Sequence, residues 1–168
     1  MQNKAVFFDR DGTLNVDVHY LHDPADFVWI EGAMDAIRWA NVHDYLVVVV
    51  TNQSGIARGY YDEAAVHRLH EWMNVQLAAY GAHIDAFYYC PHHAEGSVPA
   101  YRTVCDCRKP APGMILRAIV EHDIDPAASV LFGDAASDVA AAEAAGVRGV
   151  CYTGGSLCAC VQTALEHR

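Results

Sequence analysis

The stretch AVFFDRDGT, residues 5–13, places four apolar residues directly before two aspartates, Asp9 and Asp11. A short apolar run that ends in a turn signal is typical of a buried parallel strand. Asp9 would then lie at the border of the core, where an unpaired charge is costly. We therefore expect a parallel sheet at this point of the chain and a cation close to Asp9.

Four more apolar runs follow, and amphipathic helical patterns separate them. The predicted strands are residues 5–8, 46–50, 87–89, 130–132 and 147–152, each expected to be apolar on both faces. The predicted helices are residues 33–41, 62–80, 112–122, 138–145 and 157–166. This alternation predicts an α/β fold, a doubly wound, Rossmann-like parallel sheet that binds ligands at the carboxyl ends of its strands. A chain of 168 residues with 53% hydrophobic residues fits one domain, residues 1–168.

Charge and composition narrow the class of partner. A formal net charge of −10 argues against nucleic acid or an anionic membrane as a partner, because both attract basic surfaces. The N-terminal sequence MQNKAVFF lacks the pattern of a secretory signal, which favours the cytoplasm. In that compartment the six cysteines are expected to bind metal or to be buried rather than to form disulfides. No coiled-coil pattern is evident, so a monomer is expected.

Polar side chains stand at the ends of three predicted strands. Asp9 and Asp11 follow the first strand, Thr51 the second, and Asp134 and Asp138 the fourth. Strands of such a sheet end at a common edge, so these groups are expected to converge on one crevice. Several carboxylates form the hard oxygen site that Mg²⁺ accepts. Any one of them could instead cap a turn or a helix.

Four motifs in order, DRDGT, TNQSG, RKPAPG and GDAASD, span residues 9–138. With this set the chain resembles the haloacid dehalogenase-like phosphatases. The intervals 9–46 and 51–109 are too short for a separate folded lid beyond the predicted helices, so a capless member is expected. The resemblance implies that Asp9 attacks phosphorus and forms an aspartyl-phosphate. It also implies that Asp11 protonates the leaving oxygen and then activates the hydrolytic water.

The resemblance assigns the remaining motif residues as well. Mg²⁺ would be held by the carboxylates of Asp9 and Asp134 and by the backbone carbonyl of Asp11. Thr51 would contact the phosphoryl oxygens, and Lys109 would supply a fixed positive charge for the transition state. Asp138 would hold Lys109 or a metal-bound water, although an aspartate that starts a helix is an equal alternative.

Cysteines and histidines before the lysine motif have the composition of a zinc site. CPHH supplies Cys90 with His92 or His93, and CDC supplies Cys105 and Cys107. Three thiolates and an imidazole are the ligands of a closed tetrahedral zinc site. Spacing alone leaves both histidines open. Some haloacid dehalogenase-like phosphatases carry a C-x-H…C-x-C zinc loop, and resemblance to them implies His92.

This zinc loop, residues 90–107, is expected to be structural. By clamping the chain it would fix Arg108 and Lys109 at one wall of the pocket. The other three cysteines, Cys151, Cys158 and Cys160, are expected to be small core residues. His67 and His70 on the second predicted helix are expected to be exposed and are given no role.

Longer stretches, VVVTNQSGIARG, YYCPHH and VCDCRKPAPGM, resemble the D-glycero-D-manno-heptose bisphosphate phosphatases more than the histidinol-phosphate phosphatases. This implies removal of the 7-phosphate of heptose 1,7-bisphosphate for bacterial surface glycans such as lipopolysaccharide. Histidinol phosphate or another small sugar phosphate is the alternative substrate. The substrate contacts implied are Asp17, Val18, His19, Tyr20, Thr51, Asn52, Gln53, Ser54, Arg108 and Lys109.

One position departs from that subfamily. Ala135 stands where a lysine is expected after the aspartate of the fourth motif. Either Arg10, Arg58 or Arg148 compensates, or the preferred sugar or anomer differs. A receiver-like phosphoacceptor module is a different class with a similar acidic pocket. It would lack both the second aspartate at position 11 and the zinc loop.

Overall fold

The protein is described here by a computed structural model that covers residues 1–167. Five parallel strands, Lys4–Phe8 (β1), Tyr45–Asn52 (β2), Ala86–Cys90 (β3), Val130–Gly133 (β4) and Arg148–Cys151 (β5), form one sheet in the order β3-β2-β1-β4-β5. The α-helices are Ala33–Val42 (α1), Glu63–Ala79 (α2), Gly113–Glu121 (α3), Ala136–Ala144 (α4) and Leu157–Glu166 (α5). Two short 3-10 helices, Pro24–Asp26 and Pro126–Ala128, were not predicted. The predicted doubly wound fold is confirmed.

The central strand β1 is buried on both faces. Val6 and Phe8 pack with α1, α2 and α5 on one side of the sheet. Ala5 and Phe7 pack with α3 and α4 on the other side. Phe7 lies opposite Val48 of β2 and Leu131 of β4, so an apolar strand borders it on each side. This burial explains the unbroken apolar run that precedes Asp9.

The last strand differs from the prediction. Every residue of β5 is at least partly exposed, because β5 lies at the edge of the sheet and pairs only with β4. The expectation that all five strands are apolar and buried on both faces is therefore wrong for β5, and it holds only in part for the other edge strand, β3, where Phe87 and Tyr89 are half-buried. Cys151 is exposed, and Cys158 and Cys160 are only half-buried against the core. They are not the enclosed core residues that the sequence suggested.

Helix α2 contains a second difference. Asp62 caps its N-terminus by accepting a hydrogen bond from the backbone N–H of Ala65. His67 is exposed, as expected, but His70 is buried. Position 70 follows Val66 by four residues and precedes Met73 by three, so its side chain belongs to the buried face of the helix.

The fold brings the carboxyl ends of β1, β2 and β4 to one edge of the sheet. The backbone N–H of Asp9 donates to the carbonyl of Phe132 at 3.0 Å, which aligns the exits of β1 and β4. The backbone N–H of Gln53 donates to the carbonyl of Cys90 at 2.8 Å, which aligns the exits of β2 and β3. Within residues 1–167, no helix combines the length and the apolar character needed to cross a membrane.

Candidate active site and zinc loop

A buried lysine joins two strand ends at this edge. Nζ of Lys109 donates to Oδ1 of Asp9 at 2.7 Å, to Oδ1 of Asp138 at 2.6 Å and to the carbonyl oxygen of Val50 at 2.9 Å. Lys109 is 5% exposed, so water cannot replace these partners. All three protons of the ammonium are used, which fixes its position. The predicted contact between Asp138 and Lys109 is therefore present.

Burial and charge act against each other at Asp9. Desolvation raises the pKa of the Asp9 carboxyl well above its usual range; the Lys109 ammonium opposes this rise and Asp138 adds to it. The pKa of Lys109 is raised by the two carboxylates, although burial alone would lower it. One ammonium between two buried carboxylates leaves excess negative charge. A further cation would stabilise Asp9 as the carboxylate anion.

A place for that cation is formed by carboxylates at the exits of β1 and β4. Oxygens of Asp9, Asp134 and Asp138 all lie within 4.8 Å of one another. Gly12 allows this approach, because a Cβ at that position would lie 2.2 Å from Oδ2 of Asp134. Gly12 also has φ +89°, which glycine adopts without strain. Asp9 and Asp134 therefore fit a Mg²⁺ site of hard oxygen ligands.

The side chain of Asp11 lies outside that carboxylate group and is held by its neighbours. Arg10 donates from Nε to Oδ1 at 3.2 Å and from Nη2 to both oxygens at 3.1 Å. Nδ2 of Asn15 donates to Oδ1 at 3.0 Å, and Nε2 of Gln53 donates to Oδ2 at 3.1 Å. The orientation of this carboxylate is thus set by three side chains. Asp11 is therefore separate from the group of carboxylates that fits a cation.

A cavity of about 340 Å³ opens in front of these groups. It contains five carboxylates and one ammonium, so a phosphate dianion needs a further positive charge in order to bind there. The residues lining it are Asp9, Asp11, Asp17, His19, Tyr20, Thr51, Asn52, Gln53, Ser54, Tyr61, Lys109, Asp134, Ala135, Ser137 and Asp138.

Most of the predicted substrate contacts line this cavity, but two do not. The side chain of Val18 is exposed beside it. Arg108 instead lines a neighbouring cavity of about 260 Å³ under the zinc loop. Tyr61 and Ser137 line the active-site cavity and were not predicted. Ser137 lies within the motif GDAASD, so its place in the cavity could have been predicted from the position of that motif.

Asn52 and Gln53 also make contacts within the protein. Oδ1 of Asn52 accepts from the backbone N–H of Lys109 at 3.0 Å, and its Nδ2 donates to the carbonyl of Lys109 at 3.3 Å. Nε2 of Gln53 donates to Oγ1 of Thr51 at 2.8 Å, and Oε1 of Gln53 accepts from Tyr61. These two amides thus position the lysine and Asp11, a role that the sequence did not suggest.

The arginines considered as compensation for Ala135 lie outside the lining of the active-site cavity. Arg10 is fully buried and bonded to Asp11. Arg148 donates to the carbonyl of Ala164 in α5 at 2.9 Å. Nη2 of Arg58 lies 3.4 Å from Nε2 of His93, beside the zinc loop. In this conformation no one of the three replaces the missing lysine.

The four predicted zinc ligands form a compact group. Their donor atoms, Sγ of Cys90, Cys105 and Cys107 and a ring nitrogen of His92, lie within 4.8 Å of one another. The Sγ–Sγ distances are 2.9, 3.4 and 3.5 Å. The two longer ones are near the roughly 3.8 Å edge of a tetrahedron with Zn–S bonds of about 2.3 Å, and the shortest is below it. Burial raises the pKa of the Cys90 and Cys107 thiols, so thiolates here call for a cation. The group fits zinc.

The zinc loop is attached to the rest of the active-site rim. The backbone N–H of Val98 donates to the carbonyl of Ala57 at 2.9 Å, and the hydroxyl of Ser97 donates to the carbonyl of Arg58 at 3.0 Å. The hydroxyl of Tyr101 donates to Glu63 of α2 at 2.7 Å. The segment that leads into Lys109 is therefore tied both to the loop after β2 and to helix α2.

Similarity to known proteins agrees with this geometry. The family model for HAD-hydrolase-like proteins matches residues 106–167. The D-glycero-beta-D-manno-heptose-1,7-bisphosphate 7-phosphatase of Escherichia coli strain K12 is 52% identical over 143 residues, which is 85% of this chain and 75% of that protein. The enzyme of the same name from Vibrio cholerae is 52% identical over 147 residues, 88% of this chain and 79% of that protein.

This chain belongs to the haloacid dehalogenase-like (HAD-like) phosphatases. A solved structure of the D,D-heptose 1,7-bisphosphate phosphatase of B. bronchiseptica, complexed with magnesium and phosphate, superposes with a TM-score of 0.86 at 30% identity, covering 98% of this chain and 99% of that one. A solved structure of a HAD-like protein from Mesorhizobium loti gives a TM-score of 0.87 at 33% identity, covering 99% of this chain and 87% of that one. The predicted family, fold and enzyme class are confirmed: this HAD-like chain is a phosphatase.

Proposed function

We propose that this phosphatase removes the 7-phosphate of D-glycero-β-D-manno-heptose 1,7-bisphosphate and leaves the 1-phosphate in place. The observation that carries the proposal is the identity of about half the residues with enzymes named for this reaction. A cavity that presents a buried aspartate, an ammonium and a cation-binding edge suits a phosphoryl group. We further propose that the reaction serves the synthesis of heptose-containing surface glycans in bacteria.

In the proposed first step, a carboxylate oxygen of Asp9 attacks phosphorus, and the bond from phosphorus to the sugar oxygen breaks. Asp11 gives its proton to the departing sugar oxygen, which leaves as the alcohol. The phosphoryl group is then held as a mixed anhydride on Asp9. The contact between Nζ of Lys109 and Asp9 supports this assignment, because the ammonium is placed to offset charge on the transferring group.

In the second step, Asp11 takes a proton from a water molecule as that water attacks phosphorus. The bond between phosphorus and Asp9 breaks, which restores the carboxylate and releases inorganic phosphate. Asp11 therefore acts first as an acid and then as a base. Its hydrogen bonds to Arg10, Asn15 and Gln53 would keep it in one orientation through both steps.

Two metal ions fit the side chains present, and each would serve a different purpose. Asp9, Asp134 and the backbone carbonyl of Asp11 would hold Mg²⁺, which when bound neutralises charge on the phosphoryl oxygens. Cys90, His92, Cys105 and Cys107 would hold Zn²⁺ in a closed structural site, away from the reacting atoms. The zinc loop would then act by fixing the path of the chain into Lys109.

The proposal is tested by phosphate release in the presence of Mg²⁺. The substrates are the β and α anomers of heptose 1,7-bisphosphate, histidinol phosphate and a 3′-phosphorylated DNA end. We expect the β anomer of the heptose to give the highest kcat/KM. Much faster turnover of histidinol phosphate or of the DNA end would overturn the assignment of the substrate. A stable phosphorylated protein without turnover would instead indicate a phosphoacceptor module.

A further inference from the structure

His70 is a buried titratable residue that the proposed mechanism does not use. It is 4% exposed, and its ring stacks on Phe87 of β3 with centroids 4.2 Å apart and an angle of 12° between the ring planes. Nε2 of His70 lies 3.2 Å from Nη1 of Arg10. A buried imidazole is thus placed against the arginine that stands between the two catalytic aspartates.

The direction of this hydrogen bond follows from chemistry. A guanidinium group only donates, so Nε2 of His70 must accept, and the ring must be neutral with its proton on Nδ1. Burial, with a contribution from Arg10, holds the pKa of His70 well below its ordinary value of 6.5. The ring is therefore in the accepting state at neutral pH.

Arg10 has no freedom to move without breaking several contacts. It is fully buried, and its Nη2 donates to the carbonyl of Leu21 at 3.0 Å as well as to Asp11. Its Nε and Nη2 hold the Asp11 carboxylate, while Nη1 on the other branch is held by His70. Loss of the acceptor at Nη1 would leave a charged buried donor without this partner, which is costly and favours a rotated guanidinium.

We propose that His70 is a positioning residue, which acts through Arg10 to orient the Asp11 carboxylate for proton transfer to the leaving oxygen. The inference rests on the proposed function, in which Asp11 is the acid and the base. His70 does not line the active-site cavity, so it orients Asp11 without contacting the substrate. Its influence should therefore appear in kcat and not in KM.

Two kinds of leaving group distinguish this role from a purely structural one. A sugar phosphate needs the proton of Asp11, because an alkoxide is a poor leaving group. 4-Nitrophenyl phosphate releases nitrophenolate, which departs without a proton. In the first turnover of 4-nitrophenyl phosphate, attack by Asp9 should therefore be insensitive to the position of Asp11. Both substrates would be followed with the full-length protein and Mg²⁺, the second by stopped flow.

For His70→Leu on heptose 1,7-bisphosphate, we expect a roughly tenfold lower kcat and a KM within about twofold of the parent. On 4-nitrophenyl phosphate, we expect the first-turnover rate of nitrophenolate release to stay within about twofold of the parent. His70→Gln should restore kcat, because its amide oxygen can accept from Arg10 in place of Nε2. His67→Gln is the matched control, since His67 is an exposed histidine on the same helix and contacts Tyr89 rather than Arg10. It should behave as the parent.

Equal kcat for the parent and His70→Leu would overturn the inference, as would an equal loss for both substrates. If His70→Leu does not fold, His70→Asn replaces it, because that side chain is polar but too short to reach Arg10. Equal kcat values for His70→Asn and His70→Gln would likewise overturn the inference. A parent protein that hydrolyses neither heptose 1,7-bisphosphate nor 4-nitrophenyl phosphate would overturn the proposed function itself. Failure of the proposed function is thus distinguished from failure of the inference about His70.

Discussion

Nζ of Lys109 donates to Oδ1 of Asp9 at 2.7 Å, although the two residues are 100 positions apart in the chain. The contact joins the exit of β1 to the end of the zinc loop. Both side chains are shielded from water, so each charge depends on the other as its partner in the folded chain. The Asp9 carboxylate and the Lys109 ammonium therefore meet only when the sheet and the loop are both in place.

Lys109→Met tests this contact. Removing the ammonium leaves Asp9 and Asp138 buried as like charges, and we expect a loss of about 3 kcal/mol in the free energy of unfolding. We also expect kcat to fall about 100-fold or more, because the transition state loses its fixed cation. Urea unfolding without Mg²⁺ and phosphate release with Mg²⁺ measure the two effects. Arg117→Met is the control: it removes the exposed pair with Glu121 and should leave the free energy of unfolding nearly unchanged. Equal stability losses would contradict the prediction.

Gly12→Ala tests the cation site. The new Cβ would lie 2.2 Å from Oδ2 of Asp134 and must displace that carboxylate. We expect the Mg²⁺ concentration for half-maximal activity to rise by roughly tenfold or more, because the displaced carboxylate can no longer bind the cation. Gly154→Ala is the matched control, because its φ is +108° but nothing lies within 4 Å of the added Cβ. Both variants carry backbone strain, so an unchanged Mg²⁺ dependence in Gly12→Ala would show that Asp134 does not bind the cation.

Cys107→Ser tests the zinc loop. We expect loss of the bound zinc, a lower melting temperature and a lower kcat, because the segment leading into Lys109 is no longer clamped. Zinc content by atomic emission, thermal unfolding and phosphate release give the three values. Cys151→Ser removes an exposed thiol outside the group and should change none of them. Full zinc content in Cys107→Ser would contradict the assignment of the ligands.

His70 should make stability depend on pH. Burial is the largest cause that lowers the pKa of His70 in the folded state, and the charges of Arg10 and His67 lower it further. The rings of Phe87 and Tyr89 in β3 also face the imidazole. As pH falls below about 6.5, the unfolded chain binds a proton at His70 and the folded chain does not, so stability falls by up to about 1.4 kcal/mol per pH unit. This part of the loss should be absent in His70→Gln. Urea unfolding from about pH 7.5 to about pH 5.5 measures the difference between parent and variant. A constant difference over this range would contradict the assigned pKa direction.

The sequence predicted the sheet and the clustering of charged groups well, for a physical reason. An apolar run buried on both faces followed by Asp9 is a local pattern, and parallel topology brings such strand ends together. Residue type predicted a site made of Cys90, Cys105, Cys107 and one of two histidines, and resemblance to the phosphatases with a zinc loop favoured His92. The structure brings those four side chains together and leaves His93 outside.

What the sequence did not reveal depends on tertiary contacts. Asn52 and Gln53 were expected to face the substrate, but their amides also hold Lys109 and Asp11, which no local pattern encodes. Cys151 was expected in the core because it lies in a predicted strand. It is exposed because β5 is an edge strand, and the order of strands in the sheet is not visible in a local pattern. His70 could have been found, since it falls at the helical spacing of Val66 and Met73.

Asp9→Asn tests the proposed covalent step, in which Asp9 accepts the phosphoryl group. An amide is not an effective nucleophile toward phosphorus, so the variant should release inorganic phosphate from heptose 1,7-bisphosphate no faster than a protein-free control. Acid-quenched parent protein should carry a phosphoryl group on the peptide that contains Asp9. Phosphate release by Asp9→Asn at close to the parental rate would contradict the mechanism.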